Sequence, residues 1–196
     1  RYIVKDLLDN GYDVVGVDRI DPDGVGARRS KGCTFKIADV TDFGQVVSAM
    51  KGCDAVIHMA AIPNPRVGPE HEVFRVNMMA NWNVLEAAEI LGIGKIVMAS
   101  SVNAVGAVFS KGITPRPYFP VDEDHPTFSE DSYSLSKWLG EEMADAFVRR
   151  RSGNVQIASM RFHGLMERER QAALNAEPKP RGGTEINAKH FWGWTD

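Results

Sequence analysis

The fold is decided by a stretch that begins Ala-Val-Ile-His-Met-Ala at residues 55–60 and ends Lys-Ile-Val-Met-Ala-Ser at residues 95–100. Between these segments, roughly residues 70–91 carry apolar side chains at helical spacing, and Gly92 follows them. Residues 55–60 are apolar nearly throughout, which is typical of a strand in a sheet covered on both faces. The stretch therefore predicts a strand–helix–strand unit of a parallel sheet.

Strands and helices alternate in the same way on both sides of this unit. Toward the start of the chain, the pattern predicts a helix ending at residue 8, a strand over 12–18, a loop over 21–30, a strand over 34–38 and a helix, capped by Thr41 or Asp42, that runs to residue 50. Toward the end, it predicts a long loop over 106–131, a helix over 132–151 and a strand over 155–160. We therefore expect an α/β fold with a doubly wound, Rossmann-like parallel sheet, which binds ligands at the carboxyl ends of its strands.

Composition excludes several classes of function. The 196 residues are 43% hydrophobic and 25% charged, an ordinary globular composition, and the net charge of −3 offers no basic field for nucleic acid or an anionic membrane. Cys33 and Cys53 have no zinc-ligand spacing and fit a reducing compartment. No apolar run approaches the ~20 residues that span a bilayer. We therefore expect a cytoplasmic protein that binds no metal, nucleic acid or membrane.

Asp18 ends the strand over residues 12–18. An acid at this point of a dinucleotide-binding fold accepts hydrogen bonds from the adenosine ribose and repels the extra phosphate of NADP, although Asp18 could also be a simple turn residue. Because such an acid lies about 20 residues after the glycine-rich phosphate loop, that loop would precede Arg1, and we expect it and the first strand to be missing here. Arg19 could tolerate a 2′-phosphate, but we prefer NAD. The chain alone should bind NAD poorly and be inactive.

Two further strand ends carry candidate cofactor contacts. The Asp39 carboxylate could meet the adenine amino group while the Val40 backbone completes the contact, although a simple helix cap is the better interpretation of this pair alone. Small residues at the end of strand 55–60 would let the backbone approach a cofactor closely. His58 there is more typical of a packed, hydrogen-bonded histidine than of a catalyst.

Tyr133 and Lys137 are spaced to lie on one helix face, one turn apart. A phenol with a pKa near 10 is a poor base at neutral pH, but a neighbouring cation favours its ionised form. Ser100 and Ser101 end the strand before the long loop, where a hydroxyl could hold a substrate oxygen while the tyrosine moves a proton. An ordinary surface pair and an ordinary turn are the alternatives. The conjunction of all these features, in order and at strand ends, favours a catalytic site.

The sequence resembles the extended short-chain dehydrogenase/reductase family of NAD-dependent epimerases and dehydratases. The segments that carry the resemblance are residues 55–61, Asn77 with 83–88, 98–106, 122–137 and 161–163. The resemblance implies that Ser101 orients the substrate and that Tyr133 is the acid/base. It further implies that Lys137 tunes Tyr133 and holds the nicotinamide ribose.

The family likeness also implies a full set of site residues. Those expected to bind the cofactor are Asp18, Arg19, Asp39, Val40, Met59, Ala60, Ala61, Asn77, Ala99, Ser100, Tyr133, Lys137, Arg161, Phe162 and His163. Those expected to contact substrate are Ile62, Ser101, Val102, Asn103 and Tyr133. Residues 1–163 would form the NAD-binding domain, incomplete at its start, and residues 164–196 the truncated beginning of a substrate-binding region.

Departures from the family pattern point to one branch of it. Val105 stands where the family usually has Tyr, and residues 164–166 replace its usual Asn and Tyr-Gly-Pro. With the Ser-Ser-Val-Asn segment, they favour an NAD-dependent oxidoreductase acting on a sugar or sugar-acid hydroxyl. The alternatives are an NAD-retaining nucleotide-sugar epimerase or dehydratase, and a non-catalytic dinucleotide-sensing regulator. The two long helices are the surface through which we expect a homodimer.

Overall fold

The structure is a computed structural model that describes residues 2–21, 28–30, 32–106, 108–110, 112, 116–165 and 194–195. Its helices are α1 (Tyr2–Asp9), α2 (Phe43–Met50), α3 (Glu70–Leu91) and α4 (Ser132–Arg150). Its strands are β1 (Val14–Asp18), β2 (Arg28–Ser30), β3 (Cys33–Ile37), β4 (Ala55–His58), β5 (Lys95–Ser101), β6 (Gln156–Phe162), β7 (Gly164–Leu165) and β8 (Trp194–Thr195). A 3₁₀ turn over Val102–Val105 follows β5.

The described strands form small sheets in which parallel pairing recurs. In the order β1-β3-β2, strand β1 runs parallel to β3, and Asp18 lies opposite Ile37 at the carboxyl ends. A second sheet has the order β4-β5-β6, and β7 pairs with β8 in parallel. Strands β1, β3, β4, β5 and β6 and all the described helices occur where the sequence pattern predicts them, within a few residues at each end.

One expectation about the strands is wrong. The sequence pattern places residues 28–30 in a loop, but Arg28–Ser30 form β2 because they pair antiparallel with β3, and such pairing overrides weak local preference. In the second sheet, Ile57 is 41% exposed and Met160 is 46% exposed.

Contacts divide the chain into two compact units. The first unit comprises residues 1–61, 79–97 and 144–158, and the second comprises residues 62–78, 98–143 and 159–196. The domain boundary expected after residue 163 stays a prediction, since most of the chain beyond residue 165 lies outside the described residues.

The first unit has an apolar core on the inner face of α3. Ala80, Val84, Ala87 and Ala88, which recur at helical spacing, are buried, and Leu85 is buried beside them. Asp42 is the N-cap of α2, and its carboxylate accepts a hydrogen bond from Gln45 N at 2.9 Å. The cap predicted at Thr41 or Asp42 is therefore Asp42. None of the helices among the described residues has the length and apolar character that crossing a bilayer requires.

Candidate active site

The first turn of helix α4 is capped by the side chain of the residue that precedes the helix. The Asp131 carboxylate accepts a hydrogen bond from Ser134 N at 2.9 Å, as an N-cap acid does. This cap places Tyr133 in the first turn, where it is 8% exposed. The Phe109 ring meets the Tyr133 ring edge-on, with centroids 6.0 Å apart. The cap and the ring contact fix where the phenol can lie.

Ser101, the last residue of β5, lies against the Tyr133 phenol. The Ser101 hydroxyl oxygen accepts a hydrogen bond from Asn103 N at 3.1 Å, and the hydroxyl is hydrogen bonded to the phenol oxygen. Burial raises the pKa of Tyr133, the hydrogen bond from Ser101 opposes that rise, and the Asp131 carboxylate adds to it. In this state the phenol therefore holds its proton at neutral pH.

Because Gly106 has no side chain, the backbone of Phe128 can pass close to the end of the 3₁₀ turn. It has φ +70°, and a Cβ on this residue would stand 2.3 Å from the backbone carbon of Phe128. The Phe128 amide donates to the Val105 carbonyl oxygen at 3.1 Å. The loop that leads to α4 is thereby tied to the end of β5, which carries Ser101.

Lys137 lies one turn beyond Tyr133, as the sequence spacing predicts. Its Nζ donates to the Ala99 carbonyl oxygen of β5 at 2.6 Å and lies 5.6 Å from the centroid of the Tyr133 ring. Burial lowers the pKa of Lys137 to about 8. The ammonium is thus still mostly charged at neutral pH and close to the phenol.

Asn77 supports this cluster through its side-chain amide. Its Oδ1 accepts from Ile62 N at 2.8 Å, and its Nδ2 donates to Ile62 O at 3.2 Å and to Ser136 Oγ at 3.0 Å. Ser136 Oγ in turn donates to the Tyr133 carbonyl oxygen at 2.7 Å. The family resemblance implies that Asn77 binds cofactor, but the described contacts use its amide to join the segment after β4 to the first turn of α4.

Glu141 belongs to the site although no motif in the sequence singles it out. The Ser100 hydroxyl donates to Glu141 Oε1, and Arg161 Nη2 and Nε donate to the two carboxylate oxygens at 2.8 and 3.1 Å. Arg161 Nη1 also donates to the Asp122 carbonyl oxygen at 3.3 Å. Ser100 and Arg161, predicted to bind cofactor, thus both hold Glu141. Its spacing of four residues after Lys137 is the signal that could have found it.

The remaining predicted residues of the second unit are half-buried. They are Ile62, Val102, Asn103, Phe162 and His163. Asn103 Oδ1 is buried and has no hydrogen-bond partner among the described residues. No contact of these side chains within the described part of the chain assigns any of them to substrate or cofactor, so their roles stay predictions.

In the first unit, the predicted adenosine contacts lie at the carboxyl ends of β1 and β3. Asp18 and Arg19 are both exposed, and Asp18 Oδ1 accepts from Ile20 N at 3.1 Å. Asp39 Oδ1 accepts from Thr41 N at 2.8 Å and from Thr41 Oγ1 at 2.7 Å. Asp39 therefore closes its own turn, while much of the Asp18 carboxylate surface faces solvent.

The other first-unit candidates follow β3 and β4. The Val40 carbonyl oxygen accepts from Asn83 Nδ2 at 3.0 Å. His58 is buried and its Nε2 is 3.1 Å from Asn81 Oδ1, which confirms the packed, hydrogen-bonded histidine. Residues 59–61 have exposed or half-exposed side chains at the end of β4, and their role as a cofactor approach stays a prediction.

Comparison with known proteins decides which family these residues belong to. The profile described as "NAD dependent epimerase/dehydratase family" matches residues 1–166. The chain belongs to this family. Family membership and the parallel strands agree with the predicted Rossmann-like fold.

Three relatives illustrate the range of the family. A putative UDP-glucose 4-epimerase from Methanocaldococcus jannaschii is 35% identical over 76% of this chain and 47% of its own length. An NAD-dependent glucose-6-phosphate dehydrogenase from Haloferax volcanii is 34% identical over 70% of this chain and 56% of its own length. A short-chain dehydrogenase/reductase superfamily protein from Agrobacterium tumefaciens, solved with NAD, has 27% identity and a TM-score of 0.70 over 85% of this chain and 46% of its own. The chain spans about half the length of these relatives.

NAD is the cofactor of the epimerase/dehydratase family, and the residues present suit it. Lys137 uses one of its three N–H donors on Ala99 O, which leaves donors for ribose hydroxyls. Asp18 presents an exposed carboxylate at a strand end, the arrangement that accepts ribose hydroxyls in dinucleotide folds.

Proposed function

We propose that the protein is an NAD-dependent dehydrogenase that oxidises a hydroxyl of a sugar or sugar acid, with Tyr133 as the acid/base. The observation that carries this proposal is the buried cluster of Ser101, Tyr133 and Lys137. Burial of the Lys137 ammonium beside the phenol costs free energy, because burial disfavours its charged form. Functional sites are where such groups concentrate.

Positive charge is what Tyr133 needs to act as a base. Burial raises its pKa, which favours the phenol and opposes proton removal from a substrate hydroxyl. The Lys137 ammonium and the hydrogen bond from Ser101 both favour the phenolate. The pKa of Tyr133 nevertheless stays above its ordinary value. A further positive charge, such as that of an oxidised nicotinamide held beside Lys137, would favour the phenolate.

The proposed reaction moves one proton and one hydride. The substrate hydroxyl, held by Ser101, gives its proton to the Tyr133 oxygen. The carbon that carries this hydroxyl loses a hydride and becomes a carbonyl carbon. NAD supplies the two-electron acceptor when bound. Lys137 holds positive charge beside Tyr133 while the proton arrives, and the proton then passes to solvent. The protein's task is to orient the hydroxyl and place the base within hydrogen-bonding reach.

NADH formation by the native full-length protein tests this proposal, because we expect the chain alone to bind NAD poorly and to be inactive. NAD is supplied with hexuronic acids, hexose phosphates and neutral aldoses in turn, and absorbance of NADH is followed. Tyr133→Phe should lower kcat by about 10³-fold, since acid–base catalysis contributes roughly 10²–10⁴-fold. Tyr12→Phe is the matched control, because Tyr12 is 62% exposed, and it should keep native turnover. Undiminished turnover in Tyr133→Phe would remove the catalytic assignment.

The alternative is an NAD-retaining epimerase, and the likeness to the M. jannaschii protein favours it. The two reactions share Tyr133 but differ in what accumulates. A dehydrogenase forms one NADH for each carbonyl product, whereas an epimerase returns the hydride and forms an isomer without net NADH. An isomer appearing with no NADH would replace the dehydrogenase proposal.

A homodimer through α3 and α4 also belongs to the proposed function. On α3, Met79, Trp82 and Ile90 share a face and are exposed by 40%, 40% and 63%. Apolar side chains in that pattern are typical of a helix face that packs against a partner.

A further inference from the structure

We propose that Glu141 is a positioning residue for catalysis: by binding Ser100 on β5 and Arg161 on β6, it fixes β5 against α4 in the register that Tyr133 and Lys137 require. The inference rests on the proposed function, because it assigns Glu141 a part in that turnover. It concerns a residue that touches neither substrate nor cofactor in the proposed reaction.

The first support is the spacing on α4. Tyr133, Lys137 and Glu141 follow one another at intervals of four residues, so they lie on one face of the helix. Each of them meets one of the last three residues of β5: Tyr133 meets Ser101, Lys137 meets Ala99 and Glu141 meets Ser100. The helix is therefore attached to the strand end at three successive turns, and Glu141 makes the last of these attachments.

The second support is how Glu141 is bound. Its carboxylate accepts from the Ser100 hydroxyl and from two nitrogens of Arg161, and the side chains of Glu141 and Arg161 are only 17% and 24% exposed. Charge-assisted, two-point contacts of this kind restrict geometry more than neutral single hydrogen bonds do. The contacts fix the position of Ser100 along the axis of α4. The Ser101 hydroxyl and the Ala99 carbonyl, which belong to the adjacent residues, are positioned with it.

The third support is the cost of losing this register. Lys137 Nζ donates to the Ala99 carbonyl oxygen at 2.6 Å, so sliding of β5 along α4 would lengthen this hydrogen bond. A displacement of about 1 Å in a positioned catalytic group can cost roughly 100-fold in rate. Loss of Glu141 should therefore lower kcat rather than substrate affinity.

Turnover of the native protein and three variants tests the proposal. Glu141→Ala should lower kcat about 10- to 100-fold while KM for the sugar stays within about twofold. Glu141→Gln, which keeps an acceptor for Ser100, should retain kcat within about threefold. Glu142→Ala, the same change at the exposed neighbouring residue, should behave as native. A folded Glu141→Ala protein with native kcat and only a lowered melting temperature would overturn the proposal.

Ser100→Ala removes the contact between Ser100 and Glu141 from the side of the strand. It should lower kcat by about tenfold, and adding it to Glu141→Ala should produce little further loss, because residues that share one contact are not additive. Full additivity of the two losses would contradict the proposal. If Glu141→Ala folds poorly, Ser100→Ala alone still tests the contact, since it removes only a hydroxyl.

Chemical labelling of Lys137 tests the attachment of β5 to α4 without relying on turnover. Reductive methylation of Lys137 with formaldehyde and cyanoborohydride, followed by peptide mass spectrometry, should be slow in the native protein and about tenfold faster in Glu141→Ala. Exposed Lys51 is the internal reference. Unchanged Lys137 labelling would overturn the role of Glu141. Absence of any turnover by the native protein would instead overturn the proposed function, and the labelling result would still decide on Glu141.

Discussion

The candidate residues of the two units have different surroundings. Around Tyr133 in the second unit, polar side chains are buried and hydrogen bonded. Asn77 binds the Ser136 hydroxyl, Ser101 binds the Tyr133 phenol and Lys137 binds the Ala99 carbonyl oxygen. At the carboxyl ends of β1 and β3 in the first unit, Asp18 is exposed and Asp39 is turned onto Thr41. Of the buried polar residues described, only His58 and Asn83 lie in the first unit.

This difference matches the demands of the two tasks. Proton transfer needs a charge environment and a geometry that are fixed before the substrate arrives, because reorganisation during the reaction costs rate. Recognition of ribose hydroxyls needs only an accessible carboxylate, whose contacts form on binding. We therefore expect changes in the second unit to affect kcat strongly and changes at the strand ends of the first unit to affect cofactor choice or stability modestly.

The largest expected effect is that of Lys137→Met. It removes the ammonium 5.6 Å from the Tyr133 ring while keeping an apolar chain of similar length. We expect kcat to fall by about 10³-fold, since base catalysis by Tyr133 then lacks its neighbouring cation. Steady-state kinetics measure this, with Lys51→Met as the exposed control. A loss below about tenfold would show that the buried cluster contributes less to catalysis than we propose.

Lys137 should also give stability an unusual dependence on pH. Its pKa is about 8 in the folded protein and near 10.5 when unfolded, so between these values the unfolded chain binds the extra proton. Stability rises with pH wherever the unfolded state binds more protons, so the Lys137 contribution to the free energy of unfolding should rise by up to about 3 kcal/mol from about pH 8 to 10.5.

Urea unfolding of the native protein and Lys137→Met across that pH window isolates this term. The difference between their unfolding free energies should shift in favour of the native protein as the pH rises, since groups common to both cancel. A difference that stays constant would mean that the ammonium is better solvated than its burial implies.

Asp18→Asn should have a smaller effect, confined to cofactor choice. Loss of the carboxylate removes both a ribose acceptor and a charge that repels a 2′-phosphate, so the preference for NAD over NADP should fall by about tenfold in kcat/KM. The effect is limited because Asp18 is exposed. Asp13→Asn, just before the other end of β1, is the matched control. An unchanged preference would make Asp18 a turn residue only.

Asp39→Ala should have the smallest effect on catalysis. Its carboxylate accepts two hydrogen bonds from Thr41, so the variant should lose about 1 kcal/mol of stability, measured by urea unfolding. KM for NAD should change by less than about threefold. A large rise in KM with unchanged stability would reverse this assignment and support the predicted adenine contact.

Much of the fold could be predicted from periodicity. The helices α1 to α4 and the strands β1 and β3 to β6 are indicated by apolar spacing, by Gly92 after α3 and by the Asp42 cap of α2. The strand β2 could not be predicted, because Arg28–Ser30 lack β preference and become a strand only by pairing with β3.

The local sequence was enough to determine which residue types form the site and which face of a helix or end of a strand each occupies. The spacing of Tyr133 and Lys137 sets them on one helix face, because every α-helix repeats after about 3.6 residues. The partners of those side chains were specified by packing instead. Contacts such as Ser100 with Glu141 join residues 41 positions apart, and no local pattern encodes them. They exist because strand and helix pack together and their buried polar groups must find partners.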